Sequence, residues 1–73
     1  MLDYSIEIEV ESLPRRIQVM IAELHQLDET GDWLGYSLKA EEIEVAAKSY
    51  VIEDIISKSV FDKICLKYCG YEK

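Results

Sequence analysis

With 73 residues and a net charge of −7, the chain has room for one small domain, and 49% hydrophobic residues against 32% charged give that domain an adequate core. Chains this short bury only about 60% of their unfolded surface, so every apolar helix face has to be used; disorder would need low hydrophobicity as well as high charge. No apolar run approaches the roughly 18 residues that span a bilayer, Met1-Leu2-Asp3-Tyr4 does not read as a signal peptide, and two cysteines fit a reduced compartment. The expected setting is therefore the cytoplasm, without a membrane.

Charge is unevenly spread. Residues 1–32 carry −6, residues 33–56 carry −3 and residues 57–73 carry +2. Affinity for a phosphate backbone rests on Lys and Arg, so direct nucleic-acid binding is disfavoured. A basic or nucleic-acid-binding protein is the complementary partner, although net charge also keeps a small protein in solution with no partner at all.

The pattern predicts an all-α fold: a small three-helix bundle with a central two-sided helix and an N-terminal arm or short helix, in a single domain over residues 1–73. Ile6-Glu7-Ile8-Glu9-Val10-Glu11 alternates strictly, as a half-buried strand does. No second segment reads as a strand, and a lone strand leaves its backbone groups unpaired. Residues 1–12 are therefore expected as an arm packed on the helices or a short helix ending before Pro14, with a strand paired to a dimer mate as the alternative.

Helix 1 is predicted over residues 13–30, with Ser12 as its N-cap and Pro14 in the first turn. Leu13, Ile17, Met20, Ile21, Leu24 and Leu27 recur at helical spacing and make one apolar face. Gly31 suits the left-handed position that closes a helix, and Asp32 suits the cap that opens the next. Helix 2 is predicted over 32–56 and is apolar on two sides. Trp33, Tyr36, Ala40, Ile43, Ala47, Tyr50 and Val51 share a broad face; Leu34, Leu38, Val45, Ile52 and Ile56 make a second, narrower stripe. One stripe should meet helix 1, and the other helix 3 or a second molecule. Helix 3 is predicted over 57–70, starting after Ser57 or Ser59 and ending at Gly70. Ser59 and Asp62 have capping-box spacing, Phe61, Ile64, Cys65 and Tyr68 face inward, and Lys58, Lys63 and Lys67 face outward.

Little of this supports chemistry. Cys65 and Cys69 sit one turn apart, but a structural zinc site wants about four Cys or His ligands and His25 is the only histidine. A disulfide inside one helical turn is geometrically disfavoured. His25 has Asp28 at the next turn but no nucleophile arranged around it, and a bundle this small does not easily enclose a pocket of several hundred Å³. The expectation is no catalysis, no metal and no cofactor. The helix pair across Gly31-Asp32-Trp33 also invites comparison with a tetratricopeptide unit, whose characteristic residues are not matched, or with a DNA-reading helix–turn–helix. A single unit makes no solenoid, and the −9 on residues 1–56 opposes a duplex despite the lysines of helix 3.

The acid clusters Glu7/Glu9/Glu11, Asp28/Glu29/Asp32, Glu41/Glu42/Glu44 and Glu53/Asp54 can imitate a phosphate track or simply solvate helix exteriors. Five tyrosines, Tyr4, Tyr36, Tyr50, Tyr68 and Tyr71, outnumber Phe and Trp combined, and Tyr is enriched where an apolar body meets a wet rim.

Leu13-Pro14-Arg15-Arg16-Ile17-Gln18, Gly31-Asp32-Trp33-Leu34 and Lys48-Ser49-Tyr50 resemble stretches of small acidic proteins from phages and conjugative elements of Firmicute bacteria. The group brings no activity to carry over residue by residue. The resemblance implies a setting in which inhibitors of host defence, anti-CRISPR proteins among them, are small and acidic.

The leading expectation is a non-enzymatic protein-binding module, an inhibitor that docks on a basic partner through Asp28, Glu29, Asp32, Trp33, Glu41, Glu42 and Glu44. The alternative is a structural homodimer or higher homo-oligomer that buries Leu34, Leu38, Val45, Ile52 and Ile56 between copies. A DNA-binding helix–turn–helix is the third.

Overall fold

Among the described residues, two left-handed ones decide where the chain turns. Gly31 has φ 76° and Asp54 has φ 66°, and each ends a helix in the same way. After Gly31, the amides of Gly31 and Asp32 donate to Asp28 and Leu27 carbonyls; after Asp54, the amides of Asp54 and Ile55 donate to Val51 and Tyr50 carbonyls. Both are Schellman closures, which occupy carbonyls that the helix leaves open.

The computed structural model describes residues 5–69. Its elements are a 3₁₀ turn, Val10–Ser12, helix α1, Arg15–Thr30, helix α2, Trp33–Ile52, helix α3, Lys58–Ile64, and a π-helical turn, Cys65–Cys69. Together they form the expected all-α three-helix bundle. No described helix is long and apolar enough to cross a membrane.

The N-terminal segment combines two of the expectations. Along Ile6–Val10 the side chains alternate between half-buried and exposed, with Ile8 and Val10 against the core; the segment then coils into the 3₁₀ turn. It is an arm that ends in a short helix, and no strand lies among the described residues. Ser12 does not cap α1. Its hydroxyl and its amide both donate to the Glu9 carbonyl, at 2.7 and 3.0 Å, which closes the 3₁₀ turn instead. Pro14 is the residue before α1 and makes no side-chain cap.

The predicted face of α1 is the buried one: Leu13, Ile17, Met20, Ile21 and Leu24 are core, with Leu27 packed on its edge. Asp32 caps α2, its Oδ1 accepting from the Gly35 amide at 3.0 Å. The short link folds α2 back along α1, so Glu23, eight residues before Gly31, meets Lys39, eight after it, at 3.0 Å. Tyr36, Ala40, Ile43, Ala46 and Ala47 face the core from α2, and the three alanines allow close helix approach. Ala46 was absent from the predicted face.

Helix 2 stops four residues short of its predicted end. Asp54 turns the chain, Ser57 caps α3 by accepting from the Val60 amide at 3.1 Å, and Ser59 lies inside α3 instead of capping it. Asp62 pairs with Lys58 at 3.1 Å instead of completing a capping box. Ile64, Cys65 and Tyr68 are buried and Phe61 is half-buried, as expected. The Tyr36 hydroxyl donates to the Tyr68 carbonyl at 2.7 Å, tying α2 to the π turn from inside the core. Tyr4, Gly70 and Tyr71 lie outside the described residues.

Candidate functional site

Ile43 is fully buried, and at about 100° per residue the opposite side of α2 carries Leu34, Leu38, Val45 and Ile52. These four are 74%, 56%, 70% and 77% exposed. Helix α3 does not cover them. The π turn reaches α2 through Tyr36 and Ala40, and α1 reaches it through Lys39, so both neighbours occupy the inner half of the helix. The second stripe is thus an open apolar ridge. Ile56 does not belong to it: the chain has already turned at Asp54, and Ile56 is core at 8% exposure.

Such a ridge is more than scattered surface leucine. Apolar patches of a few hundred Å² on a monomer are commonly functional. At about 1.5–3 kcal/mol per fully buried Leu, Ile or Val, covering these four would contribute roughly 4–8 kcal/mol before the cost of association. Beside the ridge, a surface groove of about 430 Å³ is lined by Arg16 and Met20 of α1 and by Leu38, Glu41, Glu42, Val45 and Ala46 of α2. A second groove, about 450 Å³, separates the N-terminal arm from α3. Both reach the volume the sequence argued against, because they are open clefts between elements and need no enclosing walls.

The acidic residues fall into two groups. Asp28, Glu29, Asp32 and Trp33 surround the α1–α2 turn, and Glu41, Glu42 and Glu44 begin eight residues beyond Trp33, about 12 Å along the helix. Asp32 is committed to its cap, and Glu42 accepts from Lys39 at 3.2 Å. Glu23 and Glu42 together raise the Lys39 pKa, chiefly through the Glu23 hydrogen bond. Glu41 is exposed within the ridge and Glu44 is half-buried on its far flank. Trp33, predicted on the core face, is 49% exposed, about 80° around the helix from the buried Ile43; its ring meets Tyr36 edge-on at 6.4 Å.

Among the described residues, no tyrosine is exposed as a contact anchor. Tyr36 and Tyr68 are core and Tyr50 is half-buried; burial pushes the Tyr68 phenol up. His25 packs edge-on against the Tyr68 ring at 5.9 Å. Cys65 and Cys69 form no disulfide. Cys69 donates to the Ala40 carbonyl at 3.4 Å, and burial, with Cys65 and Glu44 nearby, pushes its pKa up to about 12. Among the described residues, no three His, Cys, Asp or Glu side chains group as metal ligands. Lys58 and Lys63 are exposed as expected, but Lys67 is half-buried, its ammonium lying over the Tyr68 ring at 5.6 Å.

Sequence reasoning missed the groove residues Arg16 and Met20 and the exposed Val19 and Ile55, 46% and 55% accessible. Val19 could have been found, since it falls off the α1 stripe; the groove could not, since it depends on how two helices meet. No protein-family model matches this chain, and no curated protein or solved structure matches it.

Proposed function

We propose that this chain is a non-enzymatic protein-binding module whose docking surface is the outer face of α2. The observation that carries the reading is the ridge of Leu34, Leu38, Val45 and Ile52, open to water on a helix whose other side is already buried. A 73-residue chain has few apolar residues to spare, and four on one line face outward.

Glu41 lies within the ridge, Glu42 and Glu44 flank it on either side, and the chain carries −7. An apolar cleft edged with Lys or Arg complements this surface in shape and in charge, which favours a basic, nucleic-acid-binding protein as partner. The resemblance to small acidic proteins of Firmicute mobile elements supports a setting in the cytoplasm of a bacterial host, with inhibition of a host defence protein, in the manner of an anti-CRISPR, as the biological role. A non-enzymatic reading is supported by a Cys69 thiol that stays protonated at neutral pH and by a His25 ring engaged with Tyr68.

Affinity capture from bacterial lysate tests the reading. The chain should retain a basic protein at low ionic strength and release it at high, and Leu38→Gln/Val45→Gln should retain none. Equal capture by that double variant would exclude the outer face of α2. A spacing along this face favours a second reading, self-association.

A further inference from the structure

Along the outer face of α2, Leu34, Leu38, Glu41, Val45, Lys48 and Ile52 follow one another at intervals of four, three, four, three and four residues. That alternation is the seam of a two-stranded coiled coil. Four seam positions are apolar, and the other two carry opposite charges. Glu41 and Lys48 are seven residues apart, roughly 10 Å along the helix, too far to pair within one chain. Neither forms an ion pair among the described residues.

We propose that a second copy of this chain docks on this face, its α2 antiparallel to the first and the two-fold axis at the level of Ile43. The proposal rests on the reading of the outer face as a docking surface and develops its second reading, in which the occupant is another copy of this chain in place of a basic protein. In this register Leu34 meets Ile52 of the partner subunit, Leu38 meets Lys48 of the partner subunit, and Glu41 meets Val45 of the partner subunit. All six seam positions of both copies are used, and the contact is self-complementary, as a two-fold interface requires. At 1.5 Å per residue, Glu41 then lies about 4–5 Å along the axis from Lys48 of the partner subunit, on both sides of the dyad. A parallel arrangement would set Glu41 against its own copy and Lys48 against its own copy, so charge selects the antiparallel one. The lysine stem covers Leu38 while its ammonium reaches the carboxylate.

The size of the contact sets its strength. Six seam side chains from each copy along a helix of about 30 Å bury on the order of 1,000 Å² in total, the lower bound of a specific interface. A contact at that bound belongs with weak, concentration-dependent associations. Two chains of −7 repel, with Glu42 and Glu44 flanking the dyad, so added salt tightens the dimer. Capture of a basic partner responds to salt in the opposite sense.

Sedimentation velocity on the full chain, from low micromolar to millimolar concentration at several ionic strengths, tests this. Wild type is expected to pass from monomer to dimer, more readily as salt rises. Leu38→Gln/Val45→Gln and Leu34→Gln/Ile52→Gln, all at exposed positions, are expected to keep their helical circular dichroism and to weaken the dimer on the order of 100-fold. Glu41→Lys and Lys48→Glu should each weaken it about fivefold, and the double charge reversal, which restores the net charge of −7, should recover it. A wild type that stays monomeric at every concentration overturns the second-copy proposal and leaves the docking surface to another partner. A dimer that survives both glutamine double variants overturns the docking surface too. A double reversal that recovers nothing overturns the antiparallel register.

Discussion

Asp54 is the residue at which the chain leaves the helical pattern that its sequence continues to Ile56, and replacing it should make the protein more stable. Its φ of 66° places an L-residue where the Cβ crowds the following carbonyl, at a cost of about 1–2 kcal/mol, with Asp at the low end because its side chain bonds locally. It also sets a negative charge at a helix C-terminus, unfavourable by about 0.3–1 kcal/mol. Asp54→Gly removes both, offset by about 0.4–1 kcal/mol of added unfolded-state entropy. The net gain is about 1 kcal/mol, or a Tm rise of about 4–8 °C in a domain of this size. Asp54→Asn removes only the charge and should gain about 0.3–1 kcal/mol. Asp54→Ala removes the charge but keeps the strain and should fall below Gly by about 1 kcal/mol. Urea and thermal melts followed by circular dichroism, at one fixed protein concentration because association shifts Tm, measure the series. A Gly variant less stable than wild type, or an Ala variant equal to Gly, would refute the reasoning.

Gly31→Ala meets no atom within 4 Å of the added Cβ, so its loss of about 1–2 kcal/mol would be backbone strain alone. Gly35→Ala brings Cβ to 2.7 Å from Asp32 Oδ2 and should lose the cap's roughly 1 kcal/mol while gaining about 0.5–1 kcal/mol of helix propensity, a net change within about 0.5 kcal/mol; the same denaturation assay reads both. Tyr36→Phe removes the 2.7 Å hydrogen bond to the Tyr68 carbonyl and should cost about 1–2 kcal/mol, with a shift in near-ultraviolet dichroism as the π turn loosens. Cys69 has a folded pKa of about 12 against an ordinary 9.0. Its contribution is therefore fully present below pH 9 and lost as pH rises towards 12, because the unfolded thiol ionises first. A Cys69→Ala variant should lose stability less steeply than wild type across that window, and parallel curves would show that the thiol contributes nothing.

The elements with local causes were legible in the residues. The α1 face, the Gly31 closure and the Asp32 cap each follow from side-chain chemistry within four residues, and all three are present. The end of α2 was not legible, because Ile56 continues the helical period and only the left-handed Asp54, a residue with no glycine signature, breaks it. Ser12 and Ser59 fit caps as well as Ser57 does; which serine acts depends on where the chain bends, a tertiary matter. The apolar ridge was readable as a surplus stripe on α2, but whether α3 would cover it depended on the turn at Asp54. The seam spacing through Glu41 and Lys48 is visible only once those positions are known to face outward with the leucines.

The account stands on the outer face of α2 as the place where this protein meets another. Amide chemical shifts recorded across a dilution series measure that most directly. Concentration-dependent shifts should gather on residues 34–52 of α2, strongest at Leu38, Glu41, Val45 and Lys48, and vanish in Leu38→Gln/Val45→Gln. Shifts confined instead to the arm–α3 groove around Ile8 and Val60, or to Val19 on α1, would contradict the account.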